Sequence, residues 1–74
     1  MFRHKNEAKV IERAKKLYNH KKHIKLHNYL EKMLILHPHS SDIKQFYGFN
    51  AIALGKYRTG VSYILSSTNK GNLS

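Results

Sequence analysis

Apolar residues recur along the chain at the three-and-four spacing of amphipathic helices, in four stretches separated by short polar or glycine-bearing breaks. Over 7–19, EAKVIERAKKLYN, a stripe of Val10, Ile11, Ala14, Leu17 and Tyr18 lies opposite Lys9, Glu12, Lys16 and Asn19. Asn6 is placed to cap this helix, and Lys15 and Lys16 suit its negative C-terminal end. The polar HKK then breaks the pattern. A second helix is expected over 23–36, with Leu26, Leu30, Met33 and Leu34 on one side; it stops at HPHSS because Pro38 lacks the N–H a helix needs. Ser40 or Ser41 can cap a third helix over 42–54, where Ile43, Phe46, Tyr47, Asn50, Ala51 and Leu54 share a stripe up to Gly55. A fourth, 57–67, carries Tyr57, Val61, Ile64 and Leu65. No convincing stretch alternates with period two. The expected fold is all-α, with four short antiparallel helices paired as two hairpins.

The segment ALGKYRTGVSYI, 53–64, places Gly55 and Gly60 in otherwise helical surroundings, although an interior glycine costs ~1 kcal/mol relative to alanine. An internal repeat explains them. Shifting the chain by 34 residues sets Ala14 on Gly48, Leu17 on Ala51, His23 on Tyr57, Leu26 on Gly60 and Leu30 on Ile64, with Pro38 and Asn72 closing the two units. On these residues the second half resembles a tetratricopeptide repeat. Tyr47-Gly48 stands at the family's Leu-Gly pair, LGKY (54–57) at its turn, and Gly60 at its small residue in the second helix. The first half is degenerate, keeping Ala14, the apolar stripe and Pro38; the family's tryptophan position holds Val10 and then Lys44. The reading is one domain, 1–74, with a degenerate first repeat over 6–38 and a second over 39–72. Gly55 then serves the interhelix turn, while Gly48 and Gly60 allow close helix approach.

In such arrays the first helix of each unit lines a concave face. Its residues beyond those the core needs are Ile11, Lys15, Tyr18 and Asn19 in the first unit, and Gln45, Phe49, Ile52 and Ala53 in the second. Ile11, Lys15, Tyr18, Gln45, Phe49 and Ile52 are thus the candidate groove for an amphipathic partner helix. Two repeats are fewer than the three usual for a self-sufficient stack. Val61, Tyr63, Ile64 and Leu65 are therefore expected to expose apolar surface, to be covered by a second copy or a dedicated partner.

Composition changes the picture mainly through charge. The 74 residues carry a formal charge of +10, and 1–27 hold most of it: Arg3, Lys5, Lys9, Arg13, Lys15, Lys16, Lys21, Lys22 and Lys25 against Glu7 and Glu12. Such an excess favours an anionic partner. Lys9, Lys16, Lys21, Lys22 and Lys25 form a candidate basic patch for an acidic protein or, alternatively, for nucleic acid, although no base-reading motif is present. The chain has no cysteine, so no disulfide staples its small core. MFRHKNEAK lacks the apolar core of a signal peptide and no run approaches a membrane span, so a cytoplasmic location is expected. The polar TNKGNLS reads as a frayed end.

Little in the sequence points to catalysis. Four scattered carboxylates, no nucleophile–base arrangement and no glycine-rich phosphate loop after a strand make an enzyme an unfavoured reading. His20, His23 and His27 recur at helical spacing, but without cysteine or a nearby carboxylate they read as surface histidines, and neither a metal nor another cofactor is expected.

Among tetratricopeptide-like proteins, His27 to Val61 resembles the short chaperones that hold a needle or rod subunit before type III secretion. That resemblance implies a face cradling the subunit's amphipathic C-terminal helix, often beside a small co-chaperone. The usual acidity of such chaperones is absent here.

Overall fold

The computed structural model describes the backbone of residues 2–69 and the side chains of 7–67. Four helices follow one another: α1, Phe2–Asn19; α2, His23–Leu36; α3, Ser41–Ala53; and α4, Tyr57–Asn69. The chain is all-α, as the periodicity predicts. Two expectations at the ends are corrected. Asn6 lies inside α1 and does not cap it, and α4 runs through Thr68 and Asn69, which the sequence reading assigned to a frayed tail. Residues 70–74, including Asn72 at the expected end of the second repeat, lie outside the described residues.

The helix ends follow from local chemistry. The Ser40 hydroxyl accepts a bond from the Ile43 N–H at 3.2 Å, satisfying one of the donors left open in the first turn of α3. At the other end Gly55 turns left-handed, with φ 85. Its N–H bonds to the Ile52 carbonyl at 2.9 Å and that of Lys56 to the Ala51 carbonyl at 2.8 Å, the paired closure of a Schellman motif. The first hairpin makes the same closure 34 residues earlier. Lys21 N–H bonds to Tyr18 O and Lys22 N–H to Leu17 O, both at 2.9 Å, and Lys21 takes φ 61 where its counterpart is glycine.

Packing is unequal between the hairpins. The broadest contact is α3 on α4; α3 also touches α2 and α1, and α1 touches α2. Gly48 and Gly60 face each other across the α3–α4 seam. A Cβ on Gly48 would lie 2.7 Å from the Gly60 carbonyl oxygen, and one on Gly60 would lie 2.6 Å from that of Gly48. Their counterparts in the first hairpin are Ala14 and Leu26, both fully buried. The core joins Val10, Ala14, Leu26, Leu30, Ile43 and Tyr47, flanked by Ile11, Leu17, Tyr29, Met33, Leu34, Phe46 and Tyr63.

Of the four α4 residues expected to expose apolar surface, Val61 and Leu65 do so and Tyr63 and Ile64 do not. Tyr63 and Ile64 are half-buried, Tyr63 standing edge-on to Tyr47, whereas Tyr57, Val61 and Leu65 point outward. Close approach at Gly60 orients the helix: the face bearing the glycine turns to α3, carrying Ile64 with it and leaving the 57–61–65 row outside.

Candidate functional site: the face shared by α1 and α3

The first helices of the two hairpins lie in contact. Between them runs an open cleft of about 450 Å³ lined by Ala8, Lys9, Ile11, Glu12, Lys15 and Asp42. Ile11 is half-buried against the core, and the two lysines are balanced by two carboxylates. Of the six groove residues expected from sequence, Ile11 and Lys15 line this cleft. Gln45, Phe49 and Ile52 follow Asp42 at intervals of three, four and three, so one face of α3 carries the surface on from the cleft. Phe49 is 48% exposed on that face, and Gln45 is half-buried.

Two members serve packing as well. Ile52 is half-buried and lays its Cγ1 over Gly60. Tyr18, 37% exposed, stands edge-on to the His23 ring at 5.0 Å, toward the start of α2. Sequence reasoning missed Ala8, Glu12 and Asp42 as cleft residues and assigned Lys9 to the basic patch alone. Ala8 and Asp42 are themselves 34 apart and lie one turn before Ile11 and Gln45, so the repeat register held the signal.

The basic patch divides into two places. Lys9 and Lys16 join Glu12, Arg13 and Tyr29 around a groove between α1 and α2, with the Arg13 guanidinium over the Tyr29 ring at 5.4 Å. Lys21, Lys22 and Lys25 surround a depression at the hairpin turn with His23, Ile24 and Leu54.

Two histidines read as surface groups prove structural. The His23 ring bonds through Nδ1 to Asn50 Oδ1 at 2.9 Å, while the Asn50 amide donates to the His23 carbonyl at 2.8 Å. Asn50 is fully buried, and this two-point clamp ties the start of α2 to the last turn of α3. His27 stacks on Tyr47 at 5.0 Å and directs Nε2 to the Glu31 carboxylate at 3.3 Å, so the nearby carboxylate absent from the sequence reading is in fact present. The buried Nδ1 of the same ring has no hydrogen-bond partner among the described residues. The Tyr47 hydroxyl donates to the same Glu31 oxygen at 3.3 Å. Burial, then the Glu31 charge and that hydrogen bond, push the Tyr47 hydroxyl up to about 12. No cluster of three or more His, Cys, Asp or Glu side chains suited to a metal occurs among the described residues.

No family model, curated protein or solved structure matches the chain. Among the described residues no helix is long and apolar enough to cross a membrane.

Proposed function

We propose that the chain is a protein-binding module of tetratricopeptide-like build that holds an amphipathic helix of a partner against the α1–α3 face. The observation that carries this reading is Phe49. Its ring is half-exposed, lies outside the core, and continues on α3 the surface that Ile11 floors between α1 and α3. A large apolar anchor beside a cleft of mixed charge suits a helix with one oily and one polar face. The 34-residue period, the matched Lys21 and Gly55 closures and the small residues at Gly48 and Gly60 support the repeat build. The narrower form of the proposal, resting on the sequence resemblance, is a chaperone of a type III secretion needle or rod subunit.

Affinity purification of the full chain with mass spectrometry tests the reading. A small helical protein should copurify and be lost from Phe49→Asp, a change at an exposed site that spares the core. Retention of the partner by Phe49→Asp would refute the groove. Ile52→Asp is the poorer probe, because Ile52 also packs over Gly60.

A second reading, nucleic-acid binding, has one observation in its favour: Lys9, Arg13 and Lys16 surround a groove that also holds the Tyr29 ring. It requires affinity that falls steeply with salt and with charge reversal at Lys21 and Lys22.

A further inference from the structure

The three most exposed large hydrophobic side chains among the described residues all lie on α2: Ile35, Ile24 and Leu36, at 79%, 70% and 66%. The core sets their place on the helix. Leu26 and Leu30 are fully buried, with Met33 and Leu34 packed beside them, so the other side of α2 faces solvent. On that side Ile24, Asn28 and Ile35 follow one another at intervals of four and seven, a single row along the helix. Exposed Lys25 and Lys32 form a second row beside it, which Leu36 continues by one turn.

The surroundings are strongly basic. Lys21 and Lys22 stand just before the helix and, with Lys25, Ile24 and Leu54, surround a depression of about 360 Å³. Tyr29, one turn after Lys25, borders the groove that Lys9, Arg13 and Lys16 share. Three carboxylates lie at the margins. Glu12 is in that groove, Glu7 is near Leu36, and Glu31 accepts from the Tyr47 hydroxyl and faces His27.

We propose that the outer face of α2 docks on an anionic lipid surface, with Ile24 and Ile35 entering the boundary between headgroups and acyl chains and the lysines holding the phosphates. Spacing selects this occupant. The two isoleucines are eleven residues apart, ~16 Å along the helix, with Asn28 and Lys32 between them. A protein partner concentrates its apolar contact in a dry central cluster. A bilayer receives each aliphatic side chain separately, while lysine stems lie in the interface and their ammonium groups stay at the phosphates. Nucleic acid would engage the same cations, but it stacks on aromatic rings and gives an exposed isoleucine nothing to pack on. The chain would thus lie on a membrane without crossing it. This face is separate from the α1–α3 groove and does not depend on it.

The test is cosedimentation of the full chain with vesicles of phosphatidylcholine that are one-third phosphatidylserine, compared with vesicles of phosphatidylcholine alone. Binding to the anionic vesicles only is expected, and it should weaken as salt rises. Ile24→Ser with Ile35→Ser keeps every charge and should weaken binding at least tenfold; Lys25→Glu with Lys32→Glu should do the same. All four sites are exposed, so helical circular dichroism should be kept in both variants. In this cysteine-free chain, an environment-sensitive dye on Ile35→Cys should shift to the blue on the anionic vesicles, whereas the dye on Ala8→Cys, in the α1–α3 cleft, should not. No binding to the anionic vesicles, equal binding to the neutral ones, or binding indifferent to loss of both isoleucines would each overturn the proposal. The last result, joined to salt-sensitive retention of an oligonucleotide, would assign the face to nucleic acid instead.

Discussion

Lys21 and Gly55, 34 residues apart, occupy the same left-handed position in the same hydrogen-bonded helix closure, with φ 61 and φ 85. A side chain costs ~1–2 kcal/mol in that conformation, which glycine avoids at some cost in unfolded-chain entropy. Lys21→Gly should therefore stabilise the chain by ~0.5–1 kcal/mol, and Gly55→Ala should destabilise it by about 1 kcal/mol. Urea midpoints at unchanged slope check both. A Lys21→Gly midpoint at or below that of the parent would contradict the account.

Gly48 and Gly60 make a different prediction, because the obstacle is a neighbouring backbone. Alanine at either site gains up to ~1 kcal/mol of helix propensity yet pushes a methyl toward a carbonyl oxygen and an isoleucine side chain. The net expectation is a loss of ~1–3 kcal/mol for each. The double variant should lose less than the sum, since one displacement of α4 relieves both clashes. Thermal unfolding of the three variants provides the measurement, and strict additivity would mean that the seam is not shared.

Asn50→Ala removes both bonds of the His23 clamp and leaves a hole in the core. A loss of ~2–4 kcal/mol is expected. His23→Ala should cost less, because the Asn50 amide keeps its bond to the His23 carbonyl. A double-mutant cycle should show a coupling of about 1 kcal/mol. Zero coupling would make the His23 ring a bystander.

Tyr47 sets an alkaline limit. Its hydroxyl ionises near 10 in the unfolded chain and near 12 in the folded one, so between those values the unfolded state has lost a proton that the folded state retains. This contribution to stability is complete below pH 10 and is lost as pH rises toward 12. Tyr47→Phe should flatten that part of the stability–pH curve. Tyrosinate absorbance titration of the folded parent should show one late-ionising tyrosine that disappears in the variant.

Much of the fold was legible because its signals are local. Ser40 ahead of a periodic run, Pro38 after one and Gly55 at a break each act through their own backbone, so spacing alone placed α2, α3 and α4 within a residue or two. To the 34-residue shift read from the sequence the structure adds one shared feature, the left-handed helix closure at Lys21 and Gly55. What escaped depends on tertiary contact. Val61 and Leu65 are exposed as expected, but Tyr63 and Ile64 were expected beside them, and the backbone approach at Gly60 turns their side of α4 inward. His27, Glu31 and Tyr47 come from two helices, and nothing local in either segment announces that they meet. In the candidate groove, Ile11 and Lys15 are residues the sequence reading names, while Asp42 joins them only through the contact of α3 with α1.

The placement of α3 has a consequence for how the molecule breathes. Among the described residues it alone contacts each of the other three helices, whereas α4 is held by α3 only. Partial opening can peel α4 away and leave the remainder assembled, but no partial opening frees α3 from all its neighbours. Amide protons in the centre of α3 should therefore exchange with solvent at the rate of complete unfolding, and those of α4 through a smaller, cheaper excursion.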